Sequence, residues 1–178
     1  MHRFFIHTLI AEETISSYFS DILTSMETFF IPLTFLTPVT IISATVAGYL
    51  IGFLWYSPAL FMKAWMRGEG ITQDHMPKRS MMYLIQVNIY SVIAHGAMAT
   101  VLAVLFSLLG VATQQAALSL GLLLAFGFIV TTRFIDMVYT PQGKHYEAKS
   151  QIKFLVGAGY YLVAIAVMSA VLFAVSHR

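Results

Sequence analysis

Hydrophobic residues in this chain fall in long uninterrupted runs. Thr28 to Met62, Ser80 to Thr132 and Phe154 to His177 contain no Asp, Glu, Lys or Arg, in stretches of 35, 53 and 24 residues. About 20 apolar residues cross a hydrocarbon layer as a helix. In that solvent every backbone N–H and C=O must be paired within the protein, which leaves helices or a closed barrel. A barrel needs apolar and polar positions to alternate, and these runs do not alternate. As one helix the 53-residue run would extend roughly 80 Å, more than a bilayer is thick, so it must turn back. Its one polar, helix-weakening cluster is Gly110 to Gln115, the expected loop. The pattern therefore predicts an all-α integral membrane protein with four transmembrane helices, over residues 39–56, 82–109, 117–137 and 154–175.

A different pattern precedes the first span. Ile15, Tyr18, Phe19, Ile22, Leu23, Met26, Phe29 and Phe30 recur at helical spacing, with Glu12, Glu13, Ser16, Asp21 and Glu27 mostly between them. This predicts an N-terminal amphipathic helix lying on the membrane surface. The chain thus divides into a segment at 1–37 and a four-helix transmembrane domain at 38–176. His7, Glu12 and Glu13 interrupt any signal-peptide core. Met26 offers an alternative start, which would make the residues before it an extension. Pro32 and Pro38 give a kinked approach to the first span, where missing donors matter least.

Composition supports the membrane class: 58% of residues are hydrophobic, 10% are charged and the mean hydropathy is +0.78. With no cysteine, disulfides, thiolate metal sites and thiol nucleophiles are all excluded. The net charge of +2 and the absence of a basic run interleaved with aromatics give no nucleic-acid partner. The cations do orient the spans. Lys63, Arg67, Lys78 and Arg79 follow the first span, and Arg133, Lys144, Lys149 and Lys153 follow the third, against Arg3 and Arg178 on the other side. Cationic loops stay in the cytoplasm, so the expectation is a multi-pass cell (inner) membrane protein with both termini outside and two basic loops inside.

The most specific stretch is residues 48–67, GYLIGFLWYSPALFMKAWMR. Ala44, Gly48 and Gly52 form a small-residue ridge that lets another helix approach closely. Trp55, Tyr56, Pro58 and Trp65, followed by Lys63 and Arg67, have the character of an interface anchor. This order resembles the signature of a bacterial membrane family, domain of unknown function 1761. Met62 stands where a small residue is expected from that family. The resemblance implies a four-helix integral membrane protein of uncharacterised activity, and supplies no mechanism.

Polar groups inside spans are costly and are functional candidates by default. Asn88, Ser91 and His95 share one helical face of the second span, and His95 is the only ionisable group in its uncharged run. The imidazole has two readings: a proton- or ligand-handling site, or an interhelical hydrogen bond that holds the bundle together. Arg133 and Asp136, three residues apart, have the spacing of a local ion pair. Ser107, Thr100, Thr131 and Thr132 can bond back to their own helix carbonyls. Tyr160 and Tyr161, beside Gly157 and Gly159, lie too deep for an interfacial belt and read as a close-packing patch.

No catalytic motif is present, no histidine set has metal-ligand spacing, and no cofactor is implied. The first expectation is a non-catalytic helical bundle that self-associates, or joins another membrane subunit, through the Ala44, Gly48, Gly52 ridge. The alternative is a small transporter or ion/proton pathway using Asn88, Ser91 and His95.

Overall fold

The structure is a computed structural model that describes residues 33–72, 80–139 and 147–178, together with Ser20. The expected N-terminal amphipathic helix, Lys78, Arg79 and Lys144 lie outside the described residues. No strand occurs among the described residues, which form six α-helices: α1 (Pro38–Trp55), α2 (Met62–Glu69), α3 (Met81–Leu108), α4 (Gln114–Leu124), α5 (Thr131–Tyr139) and α6 (Glu147–Ser176). A 3-10 turn, Leu33–Leu36, leads into α1.

By length and composition four helices can cross a membrane: Pro38–Trp55, Met81–Leu108, Gln114–Tyr139 and Lys149–Ser176. These are the four spans that the uncharged runs predict. The fourth helix begins well before residue 154, because helix continues through Glu147, Lys149 and Lys153 past the level at which charge is excluded.

Local signals set the ends. Pro38 occupies the first helical position of α1, where its missing N–H is harmless, and Thr37 caps the helix by accepting from the Thr40 N–H at 3.2 Å. Ser80 and Thr113 cap α3 and α4 in the same way. The expected loop is short because Gly110 takes φ +61°, a left-handed conformation that glycine adopts freely. The Val111 N–H then reaches the Phe106 carbonyl at 3.0 Å. Gly70 ends α2 likewise at φ +71°.

The third span is not one regular helix. Between α4 and α5 the six residues Ala125–Val130 form a π-helical turn, the wide geometry often found near functional sites. Just beyond it Thr131 and Thr132 donate to the Gly127 and Phe128 carbonyls, each at 2.5 Å.

Helix α6 is the centre of the bundle. Of its most apolar window 39% is buried, against 11% for the third span. It packs on α1, α2, α4, the π turn and α5, whereas α3 leans mainly on α1. Side chains at the contacts are small or flexible: Ala44, Ala99, Ala103, Ala117, Ala125 and Met168 are completely or almost completely buried, with Phe106 meeting Phe35 edge-on at 5.5 Å. Close approach of this kind substitutes for a hydrophobic driving force that lipid does not supply. Val39, Phe53, Phe128 and Leu155 point outward at 65%, 71%, 71% and 65% exposure, where acyl chains would meet them.

Candidate functional site

The polar face of α3 and the glycine ridge of α1 meet at one place. A Cβ built on Gly48 would lie 2.8 Å from His95 Cδ2 and 2.6 Å from Met168 Sδ, and one on Gly52 would lie 3.1 Å from the Tyr160 hydroxyl. Hydrogen at Gly48 leaves room for the imidazole against the α1 backbone, and at Gly52 it spares the phenol a tight contact. Ala44, one turn earlier, is fully buried. Within the chain the ridge seats α3 and α6.

His95 is 8% exposed and makes two short hydrogen bonds. Its Nδ1 lies 2.6 Å from the Ser91 carbonyl, which can only accept, so Nδ1 carries the hydrogen. In the neutral imidazole Nε2 is then a bare acceptor, to which the Tyr160 hydroxyl donates at 2.5 Å. Carbonyl, imidazole and phenol form a chain with one direction of donation, linking α3 to α6. Ser91 enters through its backbone, although its residue type had singled it out through its hydroxyl.

Around this pair the lining is aromatic and polar. Tyr49 donates to Asn88 Oδ1 at 2.6 Å while the Asn88 amide donates to the Leu84 carbonyl at 2.7 Å. The Tyr160 ring lies 5.4 Å from Tyr56 and 4.8 Å from Tyr161, centre to centre. The Arg133 guanidinium carbon lies 5.5 Å from the centre of the Tyr161 ring. Together Tyr49, Tyr56, Asn88, Ser91, His95, Tyr160 and Tyr161 line a cleft of about 430 Å³. Met98 also lines an apolar groove of about 450 Å³ between α3, α4, the π turn and α6.

The anchor residues have separate jobs. Trp55 is half-buried: its indole N–H donates to the Val156 carbonyl at 3.1 Å, its ring packs on Phe61 at 4.3 Å, and it fills the space over Gly159. Tyr56 and Trp65 meet edge-on at 6.1 Å, and Pro58 is exposed in the turn between α1 and α2. Gly68 lets α2 touch the α6 backbone, since a Cβ there would lie 2.9 Å from the Lys153 nitrogen. Lys153 pairs with Glu69 at 3.0 Å across that contact. Asp136 and Arg133 line a second cleft of about 260 Å³ with Glu69, Lys149, Ser150 and Lys153.

Some expectations are redistributed by packing. Thr100, Thr131 and Thr132 do bond to their own helix carbonyls, but the Ser107 hydroxyl is buried without a hydrogen-bond partner, as is that of Ser169. The Ser169 oxygen lies 2.1 Å from where a Gly121 Cβ would be, a close contact of α4 with α6 that no sequence argument singled out. Gly159 is a packing position, whereas Gly157 has open space around it. Tyr160 does more than pack, since it bonds His95, a partnership that the sequence pattern does not show. Its depth within the fourth span was the available signal, because a buried phenol needs a partner. Among the described residues no group of three or more His, Asp or Glu side chains could hold a metal ion.

Fold and site together define a four-span helical membrane protein with an imidazole–phenol pair at the crossing of α1, α3 and α6. The chain belongs to the family described as Protein of unknown function (DUF1761), whose model matches residues 39–173. Neither a curated protein nor a solved structure matches it.

Proposed function

We propose that the protein is a small proton-coupled carrier or pathway of the cell membrane, with His95 as the proton-handling group and the adjoining cleft as the route or binding site. The observation that carries this reading is the cleft itself. An interhelical hydrogen bond that only held the bundle together would need His95 and Tyr160, and would not need a cavity of about 430 Å³ lined by three more tyrosines and an amide. The chemistry follows from the direction of donation. When Nε2 takes a proton it becomes a donor, the Tyr160 oxygen must accept, and the phenolic hydrogen turns toward the cleft. One proton on His95 thereby adds one donor for whatever occupies the cleft. The orientation expected from the cationic loops places the Tyr56 end of the cleft toward the cytoplasm.

The test is proton movement into dye-loaded proteoliposomes under an imposed pH gradient. Parent protein should acidify the lumen, and His95→Ala should not while still inserting and remaining monodisperse. Equal rates for both would sink the reading.

A second reading, self-association, draws on a different observation. Residues 81–90 of α3, Gln86 and Tyr90 among them, are all exposed in the described structure, so the described residues leave much of that third of the helix for another element to cover. A second copy packed there would do so. Cysteine cross-linking at Ile85 and Ile89 in native membranes should then trap a dimer. Labelling confined to monomer would argue against it.

A further inference from the structure

We infer that the end of the bundle carrying α2 holds a binding site for a phosphate group, built by Lys63, Arg67 and Lys149. The three cations come from two elements. Lys63 and Arg67 are one turn apart on α2, and Lys149 lies in the first turn of α6. They converge on a cleft of about 450 Å³, floored by the buried Met66 and the half-buried Ile71. Gly70, in its left-handed turn, has no side chain to obstruct it, and the Lys149 ammonium lies 3.6 Å from where its Cβ would be. Among the described residues no carboxylate lines the cleft. The nearby Glu69 is taken by Lys153 at 3.0 Å, and Asp136 and Arg133 line the adjoining smaller cleft, which shares Gly70 and Lys149 with this one.

Three like charges brought together raise one another's energy unless an anion joins them. Lys63, Arg67 and Lys149 pair with no described carboxylate, which leaves their cleft able to take an anion from outside the bundle. Position narrows the class. Helix α2 follows directly on the end of the first span, and Tyr56 and Trp65 meet beside it, the aromatic level at which phospholipid headgroups lie. Arg and Lys suit phosphate oxygens through charge-assisted hydrogen bonds, and basic pockets beside transmembrane helices bind anionic headgroups. The site is independent of His95 and its cleft, so either can fail without the other.

The experiment uses the full chain in neutral detergent. It is titrated with a short-chain phosphatidylglycerol, with the matching zwitterionic phosphatidylcholine, and with inorganic phosphate, and followed by native mass spectrometry and thermal melting. Phosphatidylglycerol should bind and raise the melting temperature more than phosphatidylcholine. Saturation by inorganic phosphate as well would mean that the phosphate alone is recognised; binding of the lipid only would mean that the headgroup and its chains are needed. Both outcomes support the site, and no preference for either anion overturns it. Each cation removed should weaken binding about fivefold, hence of order a hundredfold for Lys63→Gln/Arg67→Gln/Lys149→Gln. Ile71→Trp keeps every charge but fills the cleft, and should also weaken binding, whereas Arg178→Gln at the far end of α6 should leave it unchanged. Parent-like affinity in Ile71→Trp, with circular dichroism showing a folded bundle, would reduce the effect to general surface charge and refute the proposal.

Discussion

Gly48→Ala is the most informative single change, because the same substitution at Gly157 provides its control. At Gly48 the new methyl would sit 2.6 Å from Met168 Sδ, 3.0 Å from Met168 Cγ and 2.8 Å from His95 Cδ2. A sulfur at the end of a flexible chain can ordinarily move aside, but Met168 is completely buried. The imidazole is fixed at both nitrogens. Something in the contact must therefore yield, at an overpacking cost of about 1–3 kcal/mol. Against this, alanine in place of glycine inside a helix contributes roughly 1 kcal/mol of propensity. At Gly157 a methyl meets nothing within 4 Å, so only the propensity gain applies. Both positions are helical, so the propensity contribution cancels in the comparison and the difference isolates the steric cost. Gly157→Ala should be more stable than Gly48→Ala by about 1–3 kcal/mol, measured by reversible unfolding in mixed micelles of mild detergent and dodecyl sulfate. If the two variants unfold together, the ridge is not seated against His95 and Met168, and the geometry of the site is wrong.

Other consequences follow from the same contacts. Tyr160→Phe removes the one donor to Nε2 and should lower stability by about 1–2 kcal/mol in the same unfolding assay. Gly121→Ala would force a methyl against the Ser169 oxygen; adding Ser169→Ala, which discards a hydroxyl with no partner, should restore most of the loss, so a double-mutant cycle that shows simple additivity would contradict the contact. Lys153→Ala breaks a pair whose lysine side chain is 54% exposed and should cost no more than about 0.5 kcal/mol, less at high salt. Trp55→Phe loses the hydrogen bond to the Val156 carbonyl while keeping the ring contact with Phe61, and should cost about 1 kcal/mol, read as a lower denaturant midpoint.

How far the sequence could be read depended on the kind of information each feature carries. The uncharged runs announced the spans, since a charge in hydrocarbon is costly wherever it falls, and Gly110 marked the one place where the longest run turns. The same signal misplaced the start of α6. Lys149 and Lys153 forbid lipid around them but do not forbid helix, so absence of charge locates the bilayer better than it locates helix ends. Small residues at Ala44, Gly48 and Gly52 signal close approach of another helix, and within the chain His95, Tyr160 and Met168 meet Gly48 and Gly52, but small size alone does not name those partners. Spacing also brought Asn88, Ser91 and His95 onto one face, because helical periodicity is local. The partners on that face, Tyr49 and Tyr160, come from helices 39 and 65 residues away in the chain from the residues they bond, and no periodicity reaches so far. The π turn at Ala125–Val130 had no sequence mark beyond Gly127.

The central functional claim is that His95 changes its protonation state inside a folded, lipid-embedded bundle and turns the Tyr160 hydroxyl with it. Nitrogen NMR of histidine-labelled protein in liposomes, with His95→Ala used to assign the signal, measures this directly. The account predicts a neutral imidazole with hydrogen on Nδ1 at high pH that converts reversibly to imidazolium as the pH is lowered, with the helices intact. A His95 signal that stays neutral until the bundle unfolds would contradict it and leave the pair as a structural crosslink.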